Sequence, residues 1–219
     1  MASFKGSDIE KYGSQSSGGT NYFSLKNDKD VAAVRFLYNS AEDVDGYTVH
    51  EVEVNGKKRY VNCLRESYNS PVDDCPFCKA RKHQIAKLFV PMYNVDEDKI
   101  QVWERGKKFY SQLSSLLARY DRNPIVSQVF EIERNGKPKD TGTTYGIYRL
   151  DSEYPVDDMT LEDFEKPEII GRLVLDKTAD EMNYYLKHNS FQDDASEPPR
   201  RRGGDEQRRR RTPREEDEF

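Results

Sequence analysis

His50, Cys63, Cys75 and Cys78 are the residues of this chain whose types and spacing offer chemistry, in the pattern H-x12-C-x11-C-x2-C. Three thiolates and one imidazole complete a tetrahedral shell for Zn²⁺ and leave no open coordination position. A closed shell is structural, so one structural Zn²⁺ and a binding role are expected in preference to metal catalysis. Other readings of the same residues are three core thiols, a disulfide, or a redox Cys-x2-Cys pair. No N-terminal stretch reads as a secretory signal, so a reducing cytoplasm is expected, which disfavours a disulfide. His83 is the rival fourth ligand.

A hairpin favours His50. Residues 47–54 (YTVHEVEV) and 57–63 (KKRYVNC) flank Asn55-Gly56, a strong two-residue turn signal. That turn sets Val54 opposite Lys57 and His50 opposite Val61. Thr48 then faces Cys63, and His50 and Cys63 become diagonal neighbours on one face. Cys75-Pro76-Phe77-Cys78 supplies the other two sulfurs, and a helix-like run (KARKHQIAKLF) follows it.

Binding chemistry is suggested by cations interleaved with aromatic residues. The clusters are Lys57-Lys58-Arg59-Tyr60; Lys79, Arg81, Lys82, Lys87 and Phe89; Trp103 to Tyr110; and Tyr145, Tyr148 and Arg149. Tyr93 lies in the strand run between the second and third clusters. Single-stranded nucleic acid uses this pairing, because cations follow phosphates while ring faces stack on bases. Arg105-Gly106-Lys107-Lys108, just ahead of a helix, lets backbone and charge approach a phosphate together. The competing reading is that strand Lys/Tyr alternation is a solvated face and that at least half of these rings are core. No catalytic constellation is evident. The pairs Asp73-Asp74 and Asp157-Asp158 suit either solvated turns or a Mg²⁺ nuclease site.

The elements that must position these residues are mostly strands. Strand runs are predicted at 31–38, 88–95, 100–104, 126–133, 143–150 and 169–175, besides the hairpin. Phe109, Leu113, Leu116, Leu117 and Tyr120 predict a helix over 107–120. Thr178, with Glu181 three residues on, predicts a capped helix over 178–188. About five strands plus a helix suit a five-stranded Greek-key barrel of the OB type, with a β-sandwich fitting nearly as well. The expected layout is an arm at 1–25, a core at 26–192 with a zinc subdomain at about 48–85, and a disordered tail at 193–219.

Charge sharpens that division. The chain has 219 residues and a net charge of −5, and no apolar run approaches a membrane span. Residues 200–214 hold eight arginines against two acids. The chain then ends in Glu215, Glu216, Asp217, Glu218 and Phe219, which read as a docking peptide for a basic groove with a pocket for the ring. Setting 195–219 aside leaves 27 basic and 33 acidic residues. Any anion-binding surface on the body must therefore be a local patch.

In these motifs the chain resembles the single-stranded DNA-binding proteins of tailed bacteriophages, the helix-destabilising proteins of T-even phages in particular. The matching residues are Val34-Arg35-Phe36-Leu37, His50 thirteen positions before Cys63, and Asn55-Gly56-Lys57 with Tyr60. Cys75-Pro76-x-Cys78 and Gly106-Lys107-Lys108 match as well. The likeness covers roughly residues 25–150. It implies an OB-fold with an inserted zinc subdomain, held by His50, Cys63, Cys75 and Cys78. It also implies non-enzymatic, sequence-independent coating of single-stranded DNA in replication, recombination and repair. Trp103 and Phe89 would be DNA-facing rings, and Arg81, Lys82, Arg105, Lys107 and Lys108 phosphate contacts. The tail would recruit replication or recombination proteins, self-association on DNA would follow, and the setting would be the cytoplasm of an infected bacterium. Departures are a longer Cys63–Cys75 stretch, a shorter segment after Cys78, the arginine run, and an arm lacking the compact Lys/Arg-Ser/Thr cluster those proteins use to self-associate. A nuclease and a non-DNA-binding adaptor are the alternatives.

Overall fold

Asn55 and Gly56 both take positive φ, 52° and 71°, the backbone that a tight hairpin turn requires. They join β2 (Gly46–Val54) to β3 (Lys57–Asn62) with Val54 opposite Lys57 and His50 opposite Val61, as the turn dictates. The computed structural model describes residues 22–67 and 69–192. The arm up to residue 21, the arginine run and the acidic end lie outside that range.

The organising strand is β4 (Gln84–Asn94), eleven residues long. On one edge it pairs with β5 (Lys99–Gly106) from Lys87 to Asn94. Its other edge is shared: Gly46–His50 of β2 pairs with Gln84–Leu88, while Val34–Phe36 of β1 (Val31–Phe36) pairs with Met92–Asn94. Beyond β1 lie β6 (Phe130–Asn135) and β7 (Thr144–Arg149). Beyond β3 lies the two-residue β8 (Val174–Leu175), in parallel. The result is a mostly β protein with one open eight-stranded sheet, not the five-stranded closed barrel expected. A strand long enough to serve two partners on one edge lets the sheet widen on both sides.

Among the described residues three helices accompany this sheet: α1 (Pro76–Lys79), α2 (Lys108–Leu117) and α3 (Ala179–His188). The helix predicted over 107–120 is α2, which buries Leu113 and Leu117 against Phe36, Trp103, Phe130 and Ile132. The helix-like run after Cys78 is corrected. It forms one turn only; Arg81 then takes positive φ (58°) and residues 84–94 are strand. Pairing with β2 overrides the run's good helix propensity. Likewise Ile125–Ser127 is a 3₁₀ turn, so β6 starts later than predicted, and Gly171 at φ 91° breaks the 169–175 run.

A second core lies under the hairpin, where Val52, Val54, Val61 and Phe77 meet Met182, Tyr185 and Phe191. The Tyr185 hydroxyl ties α3 to the hairpin, accepting from the Glu53 N–H (3.1 Å) and donating to the Glu53 carbonyl (2.9 Å). The predicted cap is present. Thr178 Oγ1 accepts from the Glu181 N–H (3.4 Å), and the Glu181 carboxylate accepts from the Thr178 N–H (2.9 Å). Thr178→Ala is expected to cost about 1 kcal/mol in urea unfolding. Lys177, then the Thr178 N–H, hold the Glu181 carboxyl below its usual range. A depressed carboxyl stabilises above its ordinary pKa and loses that contribution as pH falls through the folded value. Glu181→Gln is therefore expected to cost less stability in acid than at neutral pH. No helix among the described residues is long and apolar enough to cross a membrane.

Candidate metal centre and adjoining cleft

His50, Cys63, Cys75 and Cys78 converge, with all four ligand atoms within 4.8 Å of one another. His50 Nε2 is 3.5 Å from each of the Cys75 and Cys78 sulfurs, and the Cys63 and Cys78 sulfurs are 3.6 Å apart. A tetrahedral ion about 2.3 Å from sulfur and about 2.0–2.1 Å from nitrogen sets ligand atoms about 3.5–3.8 Å apart. The set is compatible with a structural metal site.

Each ligand is placed for a local reason. The hairpin register carries His50 and Cys63, and the Cys63 N–H is fixed to the Thr48 carbonyl at 3.0 Å. Pro76 opens α1 and presents Cys75 and Cys78 from one turn. His50 is fully buried and hydrogen-bonds through Nδ1 to the His83 carbonyl at 3.1 Å. A carbonyl only accepts, so Nδ1 carries the proton and Nε2 turns its lone pair to the sulfurs. Burial lowers the His50 pKa, which keeps the ring neutral, as a ligand must be. His83 contributes its backbone while its side chain is exposed, so His50 is the imidazole of the set.

The sulfurs respond differently to their surroundings. Burial raises the Cys75 pKa, but N–H groups of Cys78, Leu64 and Phe77 reverse this, and the net shift is downward. Burial first, then Cys63, pushes the Cys78 thiol up to about 12. Several thiolates packed together repel unless a cation lies between them. Gln84 Nε2 donates to Cys63 Sγ at 3.3 Å, a contact that required the β2–β4 register and was not legible in the sequence.

A cleft of about 760 Å³ adjoins the centre. Its walls are His83 and the start of β4 (Gln84 to Lys87), the β5–α2 junction (Arg105 to Phe109), Gln112, and Thr143 to Tyr145. Arg105, Lys107, Lys108 and Lys87 thus meet in one place. Lys107 and Lys108 are exposed, and the first turn of α2 holds no acid. Lys87 is neutralised by Glu104 at 2.6 Å. The Arg105 guanidinium lies 3.9 Å from the centre of the Tyr145 ring and 4.3 Å from that of Trp103. Within the Tyr145, Tyr148 and Arg149 cluster, Tyr148 and Arg149 are the expected contacts, yet it is Tyr145 that lines the cleft.

The other expected contacts lie elsewhere in the structure. Trp103 is only 2% exposed, enclosed by Phe23, Phe109 and Tyr145, so it is core with no free face. Phe89 is likewise buried, beneath Tyr47 and Tyr60. The Arg149 side chain is 2% exposed and donates to Gln128 Oε1 and to the Val129 and Tyr154 carbonyls, a structural clamp. Tyr93 packs against Phe164 and donates to Asp98. Lys57, Arg59, Arg81, Lys82 and Tyr148 are exposed but do not line the cleft. Of the acidic pairs, Asp157 is held by Arg35, with Nη1 3.2 Å and Nη2 2.5 Å from its carboxylate, and Asp73 pairs with Lys79. Glu215, Glu216, Asp217, Glu218 and Phe219 lie outside the described residues. No family model matches the chain and no curated protein matches it, so the metal centre and the cleft are the ground for a functional reading.

Proposed function

We propose that this chain is a non-enzymatic, sequence-independent single-stranded DNA-binding protein stabilised by one structural Zn²⁺, of the kind tailed phages use in replication, recombination and repair. The observation that carries the reading is the cleft, in which Arg105, Lys107 and Lys108 surround aromatic faces beside the Cys₃His centre. Cations that follow phosphates, set beside a ring that can stack, are what a single strand requires. Three soft thiolates with an imidazole favour Zn²⁺. An OB-type core with an inserted zinc lobe at about 48–85 is the fold this proposal adopts. The acidic end, Glu215 to Phe219, would recruit replication or recombination proteins.

The test is titration of fluorescent oligo(dT) at several salt concentrations, beside duplex and RNA of matched length. Salt-sensitive binding to the single strand over duplex is expected. Neutralising both Lys107 and Lys108 should reduce the slope of log K against log salt by about 1.4, at about 0.7 per phosphate contact. Absence of oligo(dT) binding at low salt would discard the proposal.

A further inference from the structure

Arg105 sits in an unusual position for a surface-strand arginine. Its guanidinium fills a corner made by Trp103 and Tyr145, whose ring centres are 5.0 Å apart and nearly perpendicular. It covers the faces of both rings, with Phe109 at 5.7 Å. Cation–π attraction holds it there. One need goes unmet in that place. Arg105 Nε is buried and hydrogen-bonded to nothing among the described residues. The adjacent carboxylate, Glu104, is occupied by Lys87 at 2.6 Å and by the Tyr60 hydroxyl at 2.8 Å. Burial accordingly lowers the Arg105 pKa, against a contribution from Tyr145 that favours the charged form.

Tyr145 and Phe109 are the aromatic residues that line this cleft, and the guanidinium lies over the face of Tyr145. Trp103 is buried behind the corner, while Tyr145 is half-buried and lines the opening. A guanidinium and a base are both flat and both stack on rings, so they compete for one surface. A nucleotide brings what the arginine lacks, an anionic acceptor, and has what the corner takes, a π-face. Lys107 and Lys108, exposed at the same mouth, offer charge to a phosphate.

We propose that Arg105 is a displaceable plug: on strand entry its guanidinium leaves the Trp103–Tyr145 corner, a base replaces it against Tyr145, and the guanidinium pairs with the strand's phosphate. This rests on the single-stranded DNA reading above. It assigns a one-nucleotide subsite to Tyr145 and Arg105. The free and bound states then differ by a side-chain swing alone, with no movement of the sheet.

Two measurements test it. In wild-type protein, ¹⁵N–¹H spectra report the Arg105 Nε–H, which ring currents of Trp103 and Tyr145 shift upfield. Saturating oligo(dT) is expected to return this signal to the ordinary arginine range. Separately, Arg105→Gln is expected to reduce the salt slope of oligo(dT) binding by about 0.7, one phosphate contact. If wild-type protein binds oligo(dT) while the Nε–H stays upfield, the plug is overturned, whatever the variant's folding. An unchanged slope in a folded Arg105→Gln variant overturns it equally. If wild-type protein does not bind oligo(dT), the single-stranded DNA reading itself falls, which is a separate result.

Discussion

Protein loaded with Zn²⁺ is expected to hold one ion per chain, and removing that ion is expected to lower unfolding stability by more than about 4 kcal/mol, the shift given by a ligand at a thousand times its dissociation constant. The four ligands come from β2, the residue after β3, and both ends of α1. Without a cation these pieces are joined by one buried imidazole and three sulfurs, of which Cys78 is driven by burial and by Cys63 up to about 12. A dication reverses that penalty and converts repulsion into attraction. Phe77, fully buried between His50 and Tyr185, would lose its seat with the metal, and α3 would lose part of its docking surface. The cleft should follow, because His83 and Gln84 line it and also hold His50 and Cys63. Cys75→Ser should therefore reproduce chelation in metal content, melting temperature and oligo(dT) affinity together. Identical melting curves with and without chelator would refute a structural role for the centre.

This centre was legible in the sequence because one dipeptide fixes it. Asn55-Gly56 sets the turn, the turn sets the register, and the register sets His50 beside Cys63. The α3 cap was legible for a similar reason: Thr178 and Glu181 satisfy each other's backbone locally. What failed was whatever depended on a partner distant in sequence. Gln84 to Phe89 contains good helix formers, yet Gly46 to His50 is paired alongside it and makes it strand. An arginine beside aromatic residues reads the same whether it faces solvent, like Arg59, or is clamped by three acceptors, like Arg149. The width of the sheet was not legible either, because nothing local announces that β4 pairs with both β1 and β2 along one edge.

Trp103 is where that distinction has its largest consequence. A tryptophan among cations invites the role of a stacking platform, and truncating a platform removes about 1–3 kcal/mol of binding while leaving the fold intact. The ring is instead buried to 2% exposure, with Phe109 and Phe23 centred 4.9 and 5.6 Å away. Trp103→Ala is therefore expected to cost about 3–5 kcal/mol of stability, the range for emptying a large aromatic from a packed core. Trp103→Phe keeps much of the volume and should recover most of that loss. The two roles separate in one pair of experiments, urea unfolding and oligo(dT) titration well below the melting point. A core residue predicts that Trp103→Ala unfolds at lower urea and that Trp103→Phe binds oligo(dT) close to wild type. A variant Trp103→Ala with wild-type stability and lost binding would return the ring to the DNA interface. Tyr145 would then lose the role the geometry gives it.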